Sequence, residues 1–146
     1  LTMTDYNKAL LDQLLAHVPC AVYWRDRQGR YAGCNQLFAQ HVRLPIQDII
    51  GKIDAQLPWG MHRAYHIDQE VIRTNAIVER IETISLNNQT ITLRVTRIPL
   101  IHQGNVFGVL GLVQDVSDLF ELRQRADAAD QHLHANAVLR ALSTGS

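Results

Sequence analysis

The sequence predicts an α+β fold: a five-stranded antiparallel sheet with short helices on one face, flanked by an N-terminal and a C-terminal helix. Three observations predict it. Two short runs of aromatic and small residues surround a polar turn with glycine, which indicates a hairpin. Three further apolar or alternating segments follow one another late in the chain, which indicates consecutive antiparallel strands. Only short helical segments separate the two groups, so these helices must cover one face of the sheet.

The first half of the chain is divided into short elements by proline and glycine. Thr4 or Asp5 can cap the first helix, whose leucine stripe ends before Pro19. Asn35 can cap the helix that follows the hairpin. The predicted elements are a helix at 4–17, strands at 21–26 and 30–34, a helix at 36–43 and a helical turn at 45–51.

The second half is predicted to contain a longer inner helix, three strands and a terminal helix. Gly108 and Gly111 in the last strand leave room for another element to come close. The predicted elements are a helix at 61–74, strands at 77–85, 90–95 and 106–116, and a helix at 117–142. The corresponding organisation is an N-terminal flanking helix at 1–18, a core at 19–116, a C-terminal helix at 117–142 and a tail or cloning remnant at 143–146.

The composition is that of one globular domain. The chain has 146 residues, 47% hydrophobic and 19% charged, which is enough for a real core. Its 14 basic and 14 acidic residues give a formal net charge of zero, and this predicts no nucleic-acid partner. The sequence shows no segment apolar enough to span a bilayer, and its first residues show no signal-peptide pattern. We therefore expect a cytoplasmic domain. Whether its parent protein is anchored in the inner membrane stays open.

Four segments resemble the PAS sensor family. AVYWRDRQGRYAGCNQLF is similar to the family's opening hairpin with its following asparagine and helix, and LPIQDIIGKID to its short helix ending in Ile-Gly-Lys. DQEVIRTN resembles the end of the inner helix, and VLGLVQDVSD the last strand with its Asp-hydrophobic-Ser/Thr signature. The resemblance covers residues 12 to 118. The hairpin is also similar to PAS domains of bacterial sensor histidine kinases.

The resemblance implies a sensory function. Such a domain would be the input module of a two-component sensor histidine kinase, relaying a small-molecule, redox or upstream signal to an output helix. The alternatives are a ligand-free dimerisation and relay module of another signalling protein, and a heme-binding gas sensor. The fragment contains no convergent nucleophile and base, so catalysis would belong to the parent chain, an ATP-dependent protein-histidine phosphotransferase. Whether the protein is an enzyme stays open at this point.

The resemblance also implies a small cavity that holds heme, flavin, a metabolite or nothing. No cofactor is required by the sequence. Flavin photochemistry is disfavoured because the Asn-Cys-Arg-Phe-Leu-Gln stretch of the photoreceptor members is absent. Periodicity and fold order predict the lining residues, with Asp68 as a further candidate: Val22, Trp24, Tyr31, Phe38, Val42, Tyr65, Ile72, Leu93, Val95, Val109 and Val113.

Polar residues of the inner helix have two interpretations each. His62 and His66 could share a metal, and the resemblance implies heme iron as an alternative ligand for His66. Both histidines lie opposite the apolar face of the helix, which favours solvent exposure and no metal site. Asp68 falls within the apolar arc. If buried, a carboxylate there needs a partner, and a cavity ligand with a donor group is one option. The other option is a restarted helix that uses Asp68 as its cap. The cap is the favoured interpretation.

The cysteines and the strand arginines have a structural explanation. Cys20 and Cys34 fit neither a zinc nor a disulfide spacing and indicate buried thiols in a reducing compartment. Arg94 shares a strand face with threonines, which predicts an exposed face of the sheet. The pattern breaks near Arg97, which cannot be assigned to a face.

The C-terminal helix is predicted to pair and to carry the signal. Apolar residues at three-four spacing form the seam of a short coiled coil: Leu119, Leu122, Ala126, Ala129 and Leu133. With the N-terminal leucines this favours a homodimer over packing on the same domain. Asp115, Val116 and Ser117 join the last strand to this helix and are the predicted coupling residues. The expected partners are a second copy, a small-molecule ligand and a kinase core in the same parent chain.

Overall fold

The computed structural model describes residues 1–59, 63–86 and 88–144. Within these ranges the helices are α1 (Met3–His17), α2 (Gln36–Val42), α3 (Arg63–Thr74) and α4 (Ser117–Thr144), with 3₁₀ turns at Ile46–Asp48 and Asp54–Gln56. The strands are β1 (Ala21–Asp26), β2 (Tyr31–Cys34), β3 (Val78–Leu86), β4 (Gln89–His102) and β5 (Asn105–Asp115). Met61 and His62, which begin the predicted inner helix, lie outside the described residues.

The five strands form one sheet in the order β2-β1-β5-β4-β3, with β1 antiparallel to both β2 and β5. The predicted α+β class and five-stranded antiparallel sheet are therefore confirmed. The described chain divides into two compact units. The first contains residues 1–82 and 94–114, and the second contains 83–93 and the residues from 115 onward. Among the described residues, no helix combines the length and the apolar character needed to cross a membrane.

α1 begins earlier than the sequence predicts. Thr2, rather than Thr4 or Asp5, caps it, because the Thr2 hydroxyl accepts from the Asp5 amide at 3.0 Å and the Asp5 carboxylate accepts from the Thr2 amide at 3.3 Å. This reciprocal pair is a capping box, which satisfies two exposed amides of the first turn. The helix ends at His17, as predicted from Pro19.

The hairpin and its following helix form as predicted. The Asp26 carboxylate accepts from the amides of Gln28 and Arg30, and Gly29 takes a positive φ of 83° in the turn. Asn35 caps α2 by accepting from the Phe38 amide at 3.0 Å. The Asn35 side chain also accepts from Val22 and donates to the carbonyl oxygens of Cys20 and Leu15. One amide side chain thus holds α1, β1 and α2 together.

Two glycines accommodate aromatic rings on the two faces of β1. Gly111 of β5 pairs with Tyr23, and a Cβ at Gly111 would overlap the Tyr23 ring. Gly33 of β2 pairs with Trp24, and a Cβ there would overlap the indole. A Cβ at Gly108 would overlap the Arg25 carbonyl oxygen. The prediction that Gly108 and Gly111 permit close approach is confirmed.

β4 is longer than the sequence predicts. The sequence predicts a strand at 90–95, but β4 runs from Gln89 to His102 and includes Pro99. Proline has no amide hydrogen to donate to a ladder, so it is normally a sign that a strand is ending. The ends of the other strands differ from the predicted ones by at most one residue.

The core lies between β1, β2, α2 and the 3₁₀ segments. Its buried cluster comprises Ala21, Tyr23, Tyr31, Cys34, Phe38, Ala39, Ile49 and Leu57. Cys20 and Cys34 are both free and buried, which confirms the prediction of packed thiols. Side chains alternate across a strand, so Ala21, Tyr23 and Arg25 of β1 share the face that looks into this core.

Candidate functional site

A cluster of charged side chains is buried in the first unit. Arg25 of β1, Asp54 of the second 3₁₀ turn, Asp68 of α3, Glu82 of β3 and Arg97 of β4 form this ionic cluster. The side chains of Arg25, Asp68 and Arg97 are at most 3% exposed. Buried charges are rare in proteins unless they are paired, so this cluster is the natural candidate site.

Arg25 is enclosed by two carboxylates and an aromatic wall. Its Nη1 donates to Asp54 Oδ2 at 2.6 Å, and its Nη2 donates to Asp68 Oδ1 at 2.9 Å. The Arg25 Nε lies 2.9 Å from Asp68 Oδ2, but its hydrogen is not aimed at that oxygen, so this contact is ionic without being a hydrogen bond. The guanidinium also lies 4.8 Å and 5.2 Å from the ring centroids of Tyr23 and Tyr31, within cation–π range.

From the described residues, Asp54 accepts three hydrogen bonds. Besides Arg25, the Tyr31 hydroxyl donates to its Oδ1 at 2.6 Å and the Trp59 indole donates to the same oxygen at 2.8 Å. The position of Asp54 at the start of a 3₁₀ turn brings its carboxylate under the hairpin. These contacts connect a residue of a loop region to β1 and β2.

Arg97 links α3 to β3. Its Nη1 donates to Glu82 Oε1 at 2.9 Å, and its Nε lies 3.7 Å from Asp68 Oδ1. Within the described part of the chain, the Nε of Arg97 has no hydrogen-bond partner. The cluster therefore joins five elements through two guanidiniums and three carboxylates.

The charge of the cluster depends on burial as well as on pairing. Burial raises the pKa of Asp68, and the guanidiniums of Arg25 and Arg97 act in the opposite direction. Burial alone would lower the pKa of Arg25, but the nearby tyrosines and carboxylates raise it above its usual value. Burial also raises the pKa values of Tyr23 and Tyr31. Both hydroxyls therefore remain protonated at neutral pH, where that of Tyr31 donates to Asp54 and that of Tyr23 accepts from Arg25.

The structure corrects the favoured interpretation of Asp68. Asp68 does not cap a restarted helix, because it lies within α3 and is 1% exposed. It is a buried carboxylate with a partner, but the partner is Arg25 of the same chain and not the cavity ligand of the other interpretation. His66 is exposed, as predicted, whereas His62 lies outside the described residues. In the described ranges, no group of three or more His, Cys, Asp or Glu side chains could hold a metal ion.

The predicted cavity residues are scattered over several environments. Val22, Tyr31, Phe38, Val95 and Val109 are buried, as is Asp68. The half-buried ones are Trp24, Val42, Ile72, Leu93 and Val113. Tyr65 is 47% exposed. Val22 and Trp24 alternate with Tyr23 and Arg25 along β1, so the cluster uses the opposite face of this strand. Their lining roles stay predictions.

Sequence reasoning missed most of the cluster. No local pattern points to the partners of Arg25, Asp54 or Glu82, because the charges of the cluster pair across positions that are far apart in the chain. A signal was present: Arg25 follows Ala21 and Tyr23 at a spacing of two, on the apolar face of β1. Arg94, in contrast, pairs with Glu79 at 3.1 Å with its side chain 40% exposed, which agrees with its predicted exposed face.

The junction of β5 and α4 is held by hydrogen bonds within the second unit. The Val116 amide donates to the Thr92 carbonyl at 2.9 Å, and the Ser117 hydroxyl accepts from the Thr92 amide at 2.8 Å. Asp115 Oδ1 accepts from the Ser117 amide at 2.9 Å. The three predicted coupling residues thus lie together at the start of α4, where Asp115 satisfies an amide of the first turn.

Comparison with known families identifies the fold. A family model described as the PAS fold matches residues 15–120, and this chain belongs to the PAS family. A diguanylate cyclase of Vibrio cholerae serotype O1 (strain ATCC 39541 / Classical Ogawa 395 / O395) is 25% identical over 130 residues, which cover 80% of this chain and 38% of that protein. The chain thus spans well under half of the length of this relative.

Solved structures with a similar fold include those of VqmA and of BvgS. The Vibrio cholerae VqmA–ligand–DNA complex matches with a TM-score of 0.67 and 21% identity, covering 88% of this chain and 59% of that one. The PAS domain of Bordetella pertussis BvgS matches with a TM-score of 0.62 and 19% identity, covering 86% and 96%. At these identities the likeness shows the fold alone.

The prediction that nucleic acid is excluded as a partner is wrong. The same fold occurs in VqmA, whose complex includes DNA. The error has a physical reason: a net charge of zero averages over the whole chain, so it reports neither local patches nor the charge of other domains of a longer protein.

Proposed function

We propose that this chain is the sensory input module of a longer signalling protein. In this proposal a signal received by the PAS core changes the position of α4, and α4 controls an output domain. The observation that carries the proposal is the junction at Asp115, Val116 and Ser117, where hydrogen bonds to Thr92 hold the first turn of α4 to β4. A helix that starts on such a bonded junction follows any change in the strand that holds it.

β4 gives the signal a route from the interior. This one strand includes Arg97, which belongs to the ionic cluster, and Thr92, which bonds the start of α4. A rearrangement of the cluster that moves β4 would therefore reach Thr92 through the strand itself. A ligand can drive this change only if it binds the two arrangements with different affinity.

In the leading form of the proposal, the input signal is a small polar molecule. Buried donors and acceptors of the ionic cluster would recognise it, and the VqmA neighbour is itself in complex with a ligand. A second candidate is a ligand-free relay of an upstream signal. It is favoured by Arg25, whose guanidinium already meets Asp54, Asp68 and two tyrosine rings of its own chain.

The absorption spectrum and native mass of the purified chain separate these two forms. A native mass above the chain mass that falls to it on denaturation would support a bound small molecule. An unshifted mass, with no change on adding candidate metabolites, would favour the relay. A Soret band or a flavin band would replace both by a cofactor sensor.

Two output domains are candidates in this proposal. The resemblance found in the sequence supports a histidine kinase, and the relative named diguanylate cyclase supports a diguanylate cyclase domain. Assays of the full-length parent for histidine autophosphorylation, diguanylate cyclase activity and DNA binding decide among the outputs.

Asp115→Ala in the full-length parent tests the coupling. The variant loses the acceptor for the Ser117 amide and should make the output independent of the stimulus while the core remains folded. Asp127→Ala is the matched control, because Asp127 is an exposed aspartate further along α4. Normal stimulus dependence in the Asp115 variant would contradict the proposed coupling role.

A further inference from the structure

The guanidinium of Arg25 lies in a box of aromatic rings and carboxylates. This cation box is formed by Tyr23, Tyr31, Asp54 and Asp68. The guanidinium carbon is 4.8 Å and 5.2 Å from the two tyrosine ring centroids, and the Nη atoms donate to the two aspartates at 2.6 Å and 2.9 Å. Ring faces and carboxylates are the groups by which proteins recognise organic cations. The box thus has the chemistry of a binding site, and its occupant is a side chain of the same chain.

The walls of the cation box are held independently of the guanidinium. Asp54 Oδ1 accepts from the Tyr31 hydroxyl at 2.6 Å and from the Trp59 indole at 2.8 Å, which leaves Oδ2 for the cation. The rings of Tyr23 and Tyr31 pack edge to face with centroids 5.5 Å apart, and both contact the Phe38 ring. A box whose walls support one another keeps its shape when the occupant changes, and such preorganisation favours binding.

The charge of the ionic cluster selects a cation as the occupant of the box. The cluster has two guanidiniums and three carboxylates. Without the guanidinium of Arg25, Asp68 would keep only the more distant Arg97, 3.7 Å away. Asp54 would lose its charged partner. Buried carboxylates without a charged partner are strongly unfavourable, so another cation can replace Arg25, whereas a neutral or anionic molecule cannot.

Arg25 does not satisfy the box completely. Its Nε lies 2.9 Å from Asp68 Oδ2 without forming a hydrogen bond, and the Asp68 side chain is 1% exposed. In the described part of the chain, this Oδ2 has no hydrogen-bond donor. The nitrogens of Arg25 are tethered to β1, whereas a free guanidinium or ammonium can direct its N–H groups at both oxygens of Asp68. A free cation would therefore make a hydrogen bond that the internal guanidinium leaves unmade.

We propose that Arg25 is an internal ligand, and that the cation box binds a small organic cation, a guanidino compound or a primary amine, in its place. The inference rests on the proposed sensory function and names the class of its input molecule. Exchange of one cation for another leaves the charge of the buried cluster unchanged. Arg25 is the last residue but one of β1, and the exposed Arg27 and Gln28 follow it, so its long side chain can reach solvent past this end of the strand.

Binding of ethylguanidinium to the wild-type chain at millimolar concentrations is the decisive test. Ethylurea serves as its neutral isostere, and propionate serves as an anion. The Trp59 indole bonds Asp54 and reports on the box, while Trp24 lies on the opposite face of β1 and is an internal reference. Proton–nitrogen correlation NMR, assigned with Trp24→Phe, should show a saturable shift of the Trp59 indole signal with ethylguanidinium and none of the Trp24 signal. Ethylurea and propionate should shift neither.

Arg25→Ala removes the internal competitor. It should bind ethylguanidinium at least roughly tenfold more tightly than the wild-type chain, because the apparent affinity of the wild type is reduced by the fraction of chains in which Arg25 fills the box. Arg94→Ala is the matched control: it removes an arginine that pairs with Glu79 at 3.1 Å with its side chain 40% exposed, and it should bind like the wild type. If Arg25→Ala is unfolded alone, circular dichroism should show refolding with ethylguanidinium and none with ethylurea.

No saturable shift of the Trp59 signal in the wild-type chain would overturn the proposal, whatever the variants do. Saturable binding of ethylurea or propionate would overturn the cation class, and so would an Arg25→Ala chain that binds no more tightly than Arg94→Ala or stays unfolded with ethylguanidinium. The sensory function has its own test in the full-length parent. Stimulus-dependent output that is lost in Asp115→Ala would keep that function and remove only the cation.

Discussion

The ionic cluster and α4 distribute charge and apolar surface in opposite ways. The cluster buries two arginines and two aspartates almost completely, while α4 leaves leucines 59% to 72% exposed. A charge can be buried where the same chain supplies its partners, and Arg25 has them on Asp54 and Asp68. Within the described residues, the leucines of α4 have no comparable cover. The charges of the first region are thus paired within one chain, whereas these apolar side chains remain exposed.

This contrast leads to an expectation about stability. Substitutions in the cluster should change the free energy of unfolding strongly, because they leave other buried charges without partners. Substitutions on the exposed face of α4 should change it little.

Asp68→Ala should have the largest effect. It leaves the guanidiniums of Arg25 and Arg97 buried without the carboxylate that they share, at a cost of about 3–5 kcal/mol in the free energy of unfolding. Urea unfolding followed by tryptophan fluorescence measures the loss. Glu70→Ala is the matched control on the same helix: Glu70 and Arg80 are 3.5 Å apart and half exposed, so less than about 1 kcal/mol is expected. Equal losses in the two variants would remove the basis of the contrast.

Tyr31→Phe should have an intermediate effect. The change removes the hydroxyl that donates to Asp54 at 2.6 Å and leaves a buried carboxylate oxygen with one donor fewer. We expect a loss of about 1–3 kcal/mol in the same urea experiment. Tyr65→Phe is the control, because Tyr65 is 47% exposed, and its change should stay within about 0.5 kcal/mol. A Tyr31 variant as stable as the control would show that this hydrogen bond adds nothing.

The sequence predicts the fold more completely than it predicts the site. Turn residues, helix caps and apolar periodicity are local signals, and Asn35, Gly29 and Gly111 all have the roles that such signals indicate. The ionic cluster is different, because its members come from positions between 25 and 97. Their pairing depends on tertiary packing, which one sequence does not contain explicitly.

Asp68 shows how far the local argument goes. The helical period places it on the buried face, and the cost of burying a carboxylate demands a partner. The period does not say which cation provides it. Arg25 follows Ala21 and Tyr23 at every second position, on the apolar face of β1. This spacing, together with the need of Asp68 for a cationic partner, would have paired the two residues from the sequence.

Alkaline pH should weaken the core gradually. Burial raises the pKa of the Cys34 thiol from its ordinary 9.0 and that of the Tyr31 hydroxyl from 10.0. A group with a raised folded-state pKa contributes stability that is present below its unfolded pKa and is lost as the pH rises above it. The urea midpoint should therefore fall as the pH rises above about 9. Tyr31→Phe should show a shallower fall above about pH 10, and a midpoint that stays constant in the wild-type chain would contradict the prediction.

Leu133→Ser should have the smallest effect on unfolding. Leu133 is 66% exposed, so serine there removes no contact of the core and should change its stability by less than about 0.5 kcal/mol. Leu57→Ala is the control for an apolar loss inside the core, where Leu57 is 6% exposed and about 2–5 kcal/mol is expected. A large loss of core stability for Leu133→Ser at concentrations where the chain is monomeric would mean that α4 packs within its own chain.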